Sequence, residues 1–139
     1  MVIQLSVFLE NNQGSLKDLT RTLEESGIVI HSMTLADASR FGVVRALVSA
    51  PDSALASLQQ SGYSGCLTEA LAVKTARDGK GLTDILSTLS QNSVDIEYLY
   101  MFRGKDDRTA LVMGVSNPQK AEGILSEAGF EIAGQEDIG

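Results

Sequence analysis

The chain has little of what disulfide-bonded, redox and membrane proteins rely on. Its 139 residues include one cysteine, one histidine, two prolines and no tryptophan. The single cysteine, Cys66, rules out an internal disulfide bond and a CxxC metal or redox motif. Residues 1–12 carry no basic leader, and their apolar run is too short to cross a membrane, so we expect neither a signal peptide nor a membrane span. A cytoplasmic protein is the expectation.

Basic residues are also scarce relative to acidic ones. The chain has 11 lysines and arginines against 18 aspartates and glutamates, a formal net charge of −7. Nucleic-acid binding needs an excess of positive charge on one face, so we expect no nucleic-acid partner. The apolar fraction, 43%, is typical of a globular protein.

What the chain does have is an internal repeat. Residues 16–30 align with residues 82–96 at an offset of 66, with five identical positions. One register later, residues 42–63 align with residues 109–130, and both prolines of the chain match, Pro51 with Pro118. A repeat of this length is too long for a solenoid unit and about the size of a minimal globular domain. The sequence therefore predicts one small module used twice.

Each half begins with a strand followed by a helix. Odd-numbered residues from Ile3 to Leu9 are apolar and alternate with polar ones, which is the period of a strand. Leucines at 16, 19 and 23 then follow helical spacing and end before Gly27, and half two repeats the pattern from Leu71 to Leu89, with a helix stop near Asn92.

A hairpin, a second helix and a short strand complete each half. Polar turns separate the hairpin strands, and Pro51 and Pro118 open second helices that end at Gly62 and Gly129. Short strands are predicted over 64–69 and 131–138. The order β-α-β-β-α-β, used twice, predicts an α+β protein of two ferredoxin-like modules in tandem, residues 1–67 and 68–139, each an antiparallel sheet with helices on one face.

The turn between the first strand and the first helix of each half is the candidate site. It contains Gly14 in half one and Gly81 in half two, beside small polar residues. A helix N-terminus leaves amide groups that can receive a carboxylate, while Asn11, Asn12 or Asp78 can hold an ammonium group. The alternative is structural: the glycines permit the turn, and Asn12, Ser15 or Asp78 caps the helix.

No constellation in the sequence indicates catalysis. His31 has no placed nucleophile or acid partner, and a general base needs one. Cys66 has no basic neighbour in sequence to lower its pKa, which favours a buried, inert thiol. Metal-ligand spacing and a phosphate-binding loop are absent. We therefore expect a protein that is not an enzyme and that uses no cofactor and no metal.

The turn and helix, followed by GIVI in half one and VDI in half two, resemble the D-x-P-G-x-L…G-I-N-I pattern of ACT domains, the small-molecule regulatory modules attached to enzymes of amino-acid metabolism. The two copies cover nearly the whole chain, as in stand-alone tandem ACT proteins of bacteria. The resemblance implies amino-acid binding at domain or subunit interfaces. The binding residues that it implies are Asn11, Asn12, Gly14, Ser15, Leu16, Ile28, Val29 and Ile30 in half one, and Asp78, Gly79, Lys80, Gly81, Leu82, Val94, Asp95 and Ile96 in half two.

Both halves depart from that pattern. Gln13 and Gly79 replace its proline, and Asn11 and Arg77 stand at its acidic position. Lys80 stands where its first glycine belongs, where it would either pair with a ligand carboxylate or block the approach of a ligand to the backbone. We therefore expect the two halves to differ as sites.

Strand alternation also predicts an apolar surface on the face of the sheet without helices. That face carries Phe8, Met33, Leu35, Leu47, Leu99, Met101 and Val112, whereas Tyr98, Tyr100 and Phe102 point inward with Ile96. Large apolar side chains are rarely left exposed together. We expect this face to be covered by packing between halves or chains, or by a partner enzyme.

The short link between the halves limits how they can be arranged. Residues 62–73 contain no turn cluster, so the last strand of half one and the first strand of half two should run on as one. Such a link cannot bring the second strands of both halves together, because they would lie roughly 29 Å apart at ~4.8 Å per strand. Pairing through second strands would therefore join two chains, as a homodimer.

Two functions remain open from the sequence. The first is a non-catalytic regulatory protein that senses an amino acid and acts on a metabolic enzyme. The second is a structural or protein-interaction module that docks on an enzyme or transporter without a small ligand.

Overall fold

The computed structural model describes residues 1–36, 39–76, 78 and 80–139. This part of the chain forms two compact units, Ile3–Thr68 and Met1–Val2 with Glu69–Gly139. The elements are, in order, β1 (Val2–Glu10), α1 (Ser15–Glu25), β2 (Ile30–Ala36), β3 (Phe41–Val48), α2 (Pro51–Gln60), β4 (Ser64–Lys74), α3 (Leu82–Gln91), β5 (Ile96–Arg103), β6 (Thr109–Val115), α4 (Pro118–Glu127) and a short 3-10 helix (Gln135–Asp137). The predicted α+β architecture of two ferredoxin-like modules is confirmed.

The helices form where the sequence repeats its apolar spacing. In α1, Leu19 and Leu23 lie one turn apart and are buried, as are Ile85 and Leu89 in α3, because residues four apart share one face of a helix. Both second helices begin at proline, whose missing N–H costs nothing in the first turn. A glycine with positive φ, Gly62 or Gly129, follows each of them.

In the first unit, the strands lie in the order β2-β3-β1-β4, which is the arrangement expected of a ferredoxin-like module. Alternate residues of β1 and β3 pack against α1 and α2 in one core. Its buried members are Leu5, Val7, Leu9, Leu19, Leu23, Ile28, Val44, Ala46, Val48, Ala54 and Leu58. The β1–α1 turn emerges at one end of this core, beside the start of β3.

The predicted run-on of the two central strands is confirmed, since β4 continues from Ser64 to Lys74 without a break. In the second unit, the strands follow the order β4-β6-β5. The strand predicted over 131–138 is wrong. Only Ile132 pairs there, in a single bridge to Val73, and Gln135–Asp137 turn into a 3-10 helix. In this region Gly134 and a run of acidic side chains favour a turn that contacts Lys74 over further pairing.

A β-bulge shifts the alternation of both second strands. The register changes between Ile30 and Ser32 in β2 and, 66 residues later, between Ile96 and Tyr98 in β5. An extra residue in one strand moves every following side chain to the other face. Directly opposed residues in antiparallel strands share a face, so Tyr98, opposite Gly114, lies on the helix-free face.

The face assignments made from unbroken alternation are therefore wrong for these two strands. Met33, Leu35, Leu99 and Met101 oppose core residues of β3 and β6 and lie on the helix side, whereas Tyr98, Tyr100 and Phe102 lie on the helix-free face. The other three members of the predicted surface differ in burial: Phe8 is 64% exposed, and Leu47 and Val112 are fully buried.

Candidate functional site

The first unit contains a hollow of about 390 Å³ beside the β1–α1 turn. The end of β1, the first turn of α1, the start of β3 and the start of β4 form its walls. It is lined by Phe8, Leu9, Glu10, Asn12, Ser15, Asp18, Phe41, Gly62, Tyr63 and Ser64. Two of the residues predicted from the sequence, Asn12 and Ser15, thus line one cavity.

The turn itself depends on glycine. Gly14 is the N-cap of α1 with φ of 84°, a left-handed conformation that L-residues with a side chain seldom adopt. Backbone and hydroxyl groups close the turn: the Asn12 amide donates to Oγ of Ser15 at 3.2 Å, and the Ser15 amide donates to the Asn12 carbonyl at 3.1 Å.

No side chain caps α1. The structural alternative, in which Asn12 or Ser15 caps this helix, is therefore not the arrangement present. The backbone amides of Leu16 and Lys17 have no acceptor in the described part of the chain. Two N–H groups at the positive end of the helix dipole are thus left for another acceptor.

The lining of this first hollow is acidic and aromatic. It contains the carboxylates of Glu10 and Asp18 and the rings of Phe8, Phe41 and Tyr63. No lysine or arginine lines it among the described residues, and the ion pair of Asp18 with Arg21 is long, at 3.9 Å. The hollow therefore offers acceptors for a positive group as well as apolar contact.

A second hollow, of about 280 Å³, lies at the corresponding place in the second unit. Its lining residues are Lys74, Thr75, Ala76, Lys80, Gly81, Ile85, Arg108, Gly129, Phe130 and Glu131. Under the repeat offsets of 66 and 67, eight of these ten positions correspond to lining positions of the first hollow. Two of the ten lining residues, Lys80 and Gly81, are among those predicted from the sequence.

Charged side chains bond to one another across the second hollow. Nζ of Lys74 lies 2.8 Å from Asp137, 3.0 Å from Asp106 and 3.6 Å from Glu131. Nη1 of Arg108 donates to Glu131, and its Nε donates to the Thr75 carbonyl at 3.1 Å. We call these five charged residues the ion cluster.

The ion cluster shifts the pKa values of its members. Hydrogen bonds to Asp137 and Asp106 raise the pKa of the Lys74 ammonium group. The Lys74 hydrogen bond lowers the pKa of Asp106, and the Arg108 hydrogen bond lowers that of Glu131. Burial works against ionisation of Asp137, but hydrogen bonds from Lys74 and the Gly134 amide leave its pKa below the ordinary value.

The second turn differs from the first. Gly81 is the N-cap of α3 with φ of 105°, again without a side-chain cap. This glycine lies four residues before the buried Ile85, whereas Gly14 lies five before Leu19, so α3 starts one residue later in the repeat. Oδ1 of Asp78 accepts the Lys80 amide at 3.0 Å. Gly79 and Arg77 lie outside the described residues.

The remaining predicted residues do not line either hollow. Ile28, Val29 and Ile30 line a separate depression of about 380 Å³ on the first unit. The other residues outside the two linings are Asn11, Gly14, Leu16, Asp78, Leu82, Val94, Asp95 and Ile96. Sequence reasoning missed Glu10, Asp18, Phe41 and Tyr63. Two of them have a signal in the repeat: Asp18 is identical with Asp84, and Tyr63 aligns with another aromatic residue, Phe130.

The described residues contain no group of histidine, cysteine, aspartate and glutamate side chains that could hold a metal ion. Cys66 is exposed, so the expectation of a buried thiol is wrong. Cys66 precedes Leu67, which packs against the core of the first unit, so the alternation of the strand directs the cysteine side chain to the opposite face. None of the helices in the described ranges has the length and apolar character needed to cross a membrane.

Comparison with known proteins identifies the repeat. A family model described as an ACT domain pair matches residues 1–138. No curated protein matches the chain.

Two kinds of solved structure are similar to this chain. Protein BT0572 from Bacteroides thetaiotaomicron has 29% sequence identity and a TM-score of 0.87, over 98% of this chain and 94% of that one. The ligand-free regulatory subunit of aspartate kinase from Thermus thermophilus has 13% identity and a TM-score of 0.62, over 91% and 92% of the two chains. The corresponding subunit from Thermus flavus has 13% identity and a TM-score of 0.58, over 91% of each chain. At such low identity, the similarity to the aspartate kinase subunits is one of fold.

Proposed function

Because this chain belongs to the ACT domain family as a pair of ACT domains, we propose that it is a non-catalytic, cytoplasmic regulatory protein that binds an amino acid at the β1–α1 turn. Membership of the family supports a regulatory role with a small ligand. The observation that carries the amino-acid assignment is the first hollow, whose lining includes two carboxylates and Ser15, the first residue of α1, next to two backbone amides without an acceptor in the described structure.

The dimensions of the hollow suit a small ligand. Its volume, about 390 Å³, is near the lower end of the range for small-molecule sites, roughly 300–1,000 Å³. Any of the standard amino acids fits within this volume.

Both charged groups of a zwitterion have complementary partners at this site. The α-carboxylate accepts hydrogen bonds from the Leu16 and Lys17 amides, which have no acceptor in the described structure. The ammonium group lies towards Glu10, Asp18 and the Asn12 side chain, which line the same hollow. Gly14 lies between Asn12 and the two amides in the sequence and has the positive φ that the turn requires.

The start of the second strand contributes to binding through a second copy of the chain. In their own unit, Ile28–Ile30 line a depression separate from the first hollow. In the described structure, β2 has β3 as its one strand neighbour and β5 has β6, and an unpaired strand edge is a template for pairing with another chain. A homodimer formed through these edges would bring Ile28–Ile30 of one copy towards the turn of the other.

Regulation follows if ligand binding favours one arrangement of such an interface. The coupling free energy between two binding events is typically about 1–3 kcal/mol, which is enough to change the activity of an associated metabolic enzyme several-fold. The regulated enzyme is the proposed macromolecular partner.

A second candidate function is docking on an enzyme or transporter without a small ligand. Phe8 and Phe41 favour it, because they are 64% and 60% exposed and both border the first hollow. Exposed aromatic side chains are common at protein interfaces. In that case the hollow would receive a side chain of the partner.

A thermal-shift screen with the twenty standard amino acids separates the two functions. A ligand at 100 times its dissociation constant adds about 2.7 kcal/mol to the free energy of unfolding, so at least one amino acid should raise the melting temperature clearly. Asn12→Ala should reduce this shift, and Gln59→Ala on the exposed side of α2 should not. Absence of a shift with every amino acid would contradict the proposal and favour docking.

A further inference from the structure

The two hollows occupy corresponding places but differ in the residues that line them. Phe8 of the first corresponds to Lys74 of the second, Phe41 to Arg108, and Ser64 to Glu131. At three walls the second module has thus exchanged uncharged residues for charged ones. The exchange adds two cations and one anion, and two further anions, Asp106 and Asp137, complete the ion cluster.

The members of the ion cluster satisfy one another. The Lys74 side chain is only 10% exposed and contacts three carboxylates, and Arg108 joins Glu131 to the Thr75 carbonyl. A ligand entering here would have to separate these pairs and leave charges with fewer partners, which is costly for groups shielded from water. Ligand binding in the second hollow is therefore unfavourable, although a cavity of about 280 Å³ is present there.

Polar groups of the second turn also bond to one another. Asp78, which corresponds to Asn12, accepts the Lys80 amide and lies 3.8 Å from Nζ of Lys80. The side chain of Asn12, in contrast, has no hydrogen-bond partner in the described part of the chain. A polar group is thus left for a ligand in the first module, while its counterpart is used by the protein.

The charges of the first hollow restrict the ligand. Glu10 and Asp18 supply two carboxylates, and no cation lines the hollow within the described ranges. One carboxylate can be balanced by the ammonium group of an amino acid. An additional carboxylate on the ligand side chain would be repelled, since like charges a few ångströms apart destabilise each other. The aromatic rings accept apolar or cationic side chains.

We propose that amino-acid binding is confined to the first hollow, which selects side chains without negative charge, and that the ion cluster closes the second hollow to ligands. This inference rests on the proposed function, and it assigns one site per chain. The second module then serves as a structural copy whose corresponding hollow is lined by internal ion pairs.

Amide chemical shifts of the full chain provide the test. The probes are a mixture of the standard amino acids without aspartate and glutamate, and a second mixture of aspartate and glutamate only. We expect the first mixture to shift the amides of Gly14–Asp18 and to leave those of Gly81–Asp84 unchanged, and the second mixture to shift neither. Comparable shifts at both turns, or shifts at Gly14–Asp18 with aspartate and glutamate, would overturn the inference.

Exchanging residues between the hollows provides matched variants. Phe41→Arg/Ser64→Glu places the second module's ion pair in the first hollow, at two exposed positions, and should abolish the shifts at Gly14–Asp18. Arg108→Phe/Glu131→Ser makes the reverse change, keeps the net charge, and should leave those shifts intact. Undiminished binding in the first variant would overturn the inference.

These outcomes separate the inference from the function on which it rests. If no amide of the protein responds to either mixture, amino-acid binding itself is wrong, and the inference falls with it. If amides respond at both turns, amino-acid binding stands and only its confinement to the first module is wrong.

Discussion

Nζ of Lys74 lies 2.8 Å from Oδ1 of Asp137, and this pair ties the end of β4 to the C-terminal 3-10 helix. Asp137→Asn keeps the shape of the side chain and its hydrogen bond from the Gly134 amide but removes the negative charge. We expect the free energy of unfolding to fall by about 1.5–3 kcal/mol, the range for hydrogen bonds to charged groups. Urea denaturation measures this change, and Glu69→Gln, at an exposed position without an ion pair among the described residues, should change it by less than ~0.5 kcal/mol.

The ion cluster makes stability depend on pH in the acid range. The pKa values of Asp106, Glu131 and Asp137 are lowered in the folded chain, so the unfolded chain binds protons more readily. Their contribution is complete above their ordinary pKa values, 3.8 and 4.5, and is lost as the pH falls through the lower folded values. Denaturation midpoints should therefore fall below about pH 4.5, and less steeply in Asp137→Asn. An equal slope in both proteins would contradict this.

The raised pKa of Lys74 acts at the opposite end of the pH scale. Its stabilising contribution is fully present below the ordinary value of 10.5 and is lost only as the pH rises through the folded value. At neutral pH the cluster is therefore fully charged, and the second hollow is closed under physiological conditions.

The ring of Tyr98 covers Gly114 on the neighbouring strand. A Cβ added at Gly114 would lie 1.9 Å from Cε2 of Tyr98, so Gly114→Ala should cost about 1–3 kcal/mol of stability through overpacking. In a Tyr98→Ala background the same substitution should cost less than ~0.5 kcal/mol, because the ring is gone. Urea denaturation of the four proteins of this cycle tests the coupling, and an equal cost in both backgrounds would show that the ring is not the cause.

Ser93 adopts a left-handed conformation, with φ of 58°, at the position where the first module has Gly27. This conformation costs a residue with a side chain roughly 1–2 kcal/mol of stability. Substitution by glycine removes that cost, but the greater conformational freedom of glycine in the unfolded chain offsets part of the gain. Ser93→Gly should therefore stabilise the protein by about 0.5–1 kcal/mol. Ser90→Gly, at an exposed helical position, should destabilise it. If both variants were less stable than the original protein, the prediction that Ser93 is strained in this conformation would be wrong.

Element order could be predicted from the sequence because the repeat presents it twice. Apolar periodicity and the paired Pro51 and Pro118 identify helices in both halves at corresponding positions, and the structure confirms them. The short link after Gly62 was enough to predict the continuous β4. These features depend on local spacing, which a single chain reveals.

The face of the sheet on which each side chain of β2 and β5 lies could not be predicted from the sequence. A β-bulge adds one residue to a strand, and no characteristic residue type marks its position. His31 and Glu97 stand at the two shifts of register and share no residue type. Packing across strands hides the shift further: the pair Ser32 and Leu47 in the first module becomes Tyr98 and Gly114 in the second. The large residue of the pair thus lies on β3 in the first module and on β5 in the second.

The candidate site was predicted in part. The turn glycines and the neighbouring Asn12 and Ser15 are local signals, but Phe41, Tyr63 and Ser64 reach the first hollow from distant segments. The ion cluster escaped prediction for the same reason, since Lys74, Arg108 and Asp137 meet only in the folded second unit. Contacts between residues that are far apart in the chain produce no recognisable pattern in the sequence.

The most direct test of amino-acid binding at the first turn is the rate at which the Leu16 and Lys17 amides exchange with water, measured by NMR with and without the amino acid that gives the largest thermal shift. A bound carboxylate should slow exchange at these two amides, while the Leu82 and Thr83 amides of the second turn stay unchanged. Unaltered exchange at Leu16 and Lys17 under saturating amino acid would contradict binding at this turn.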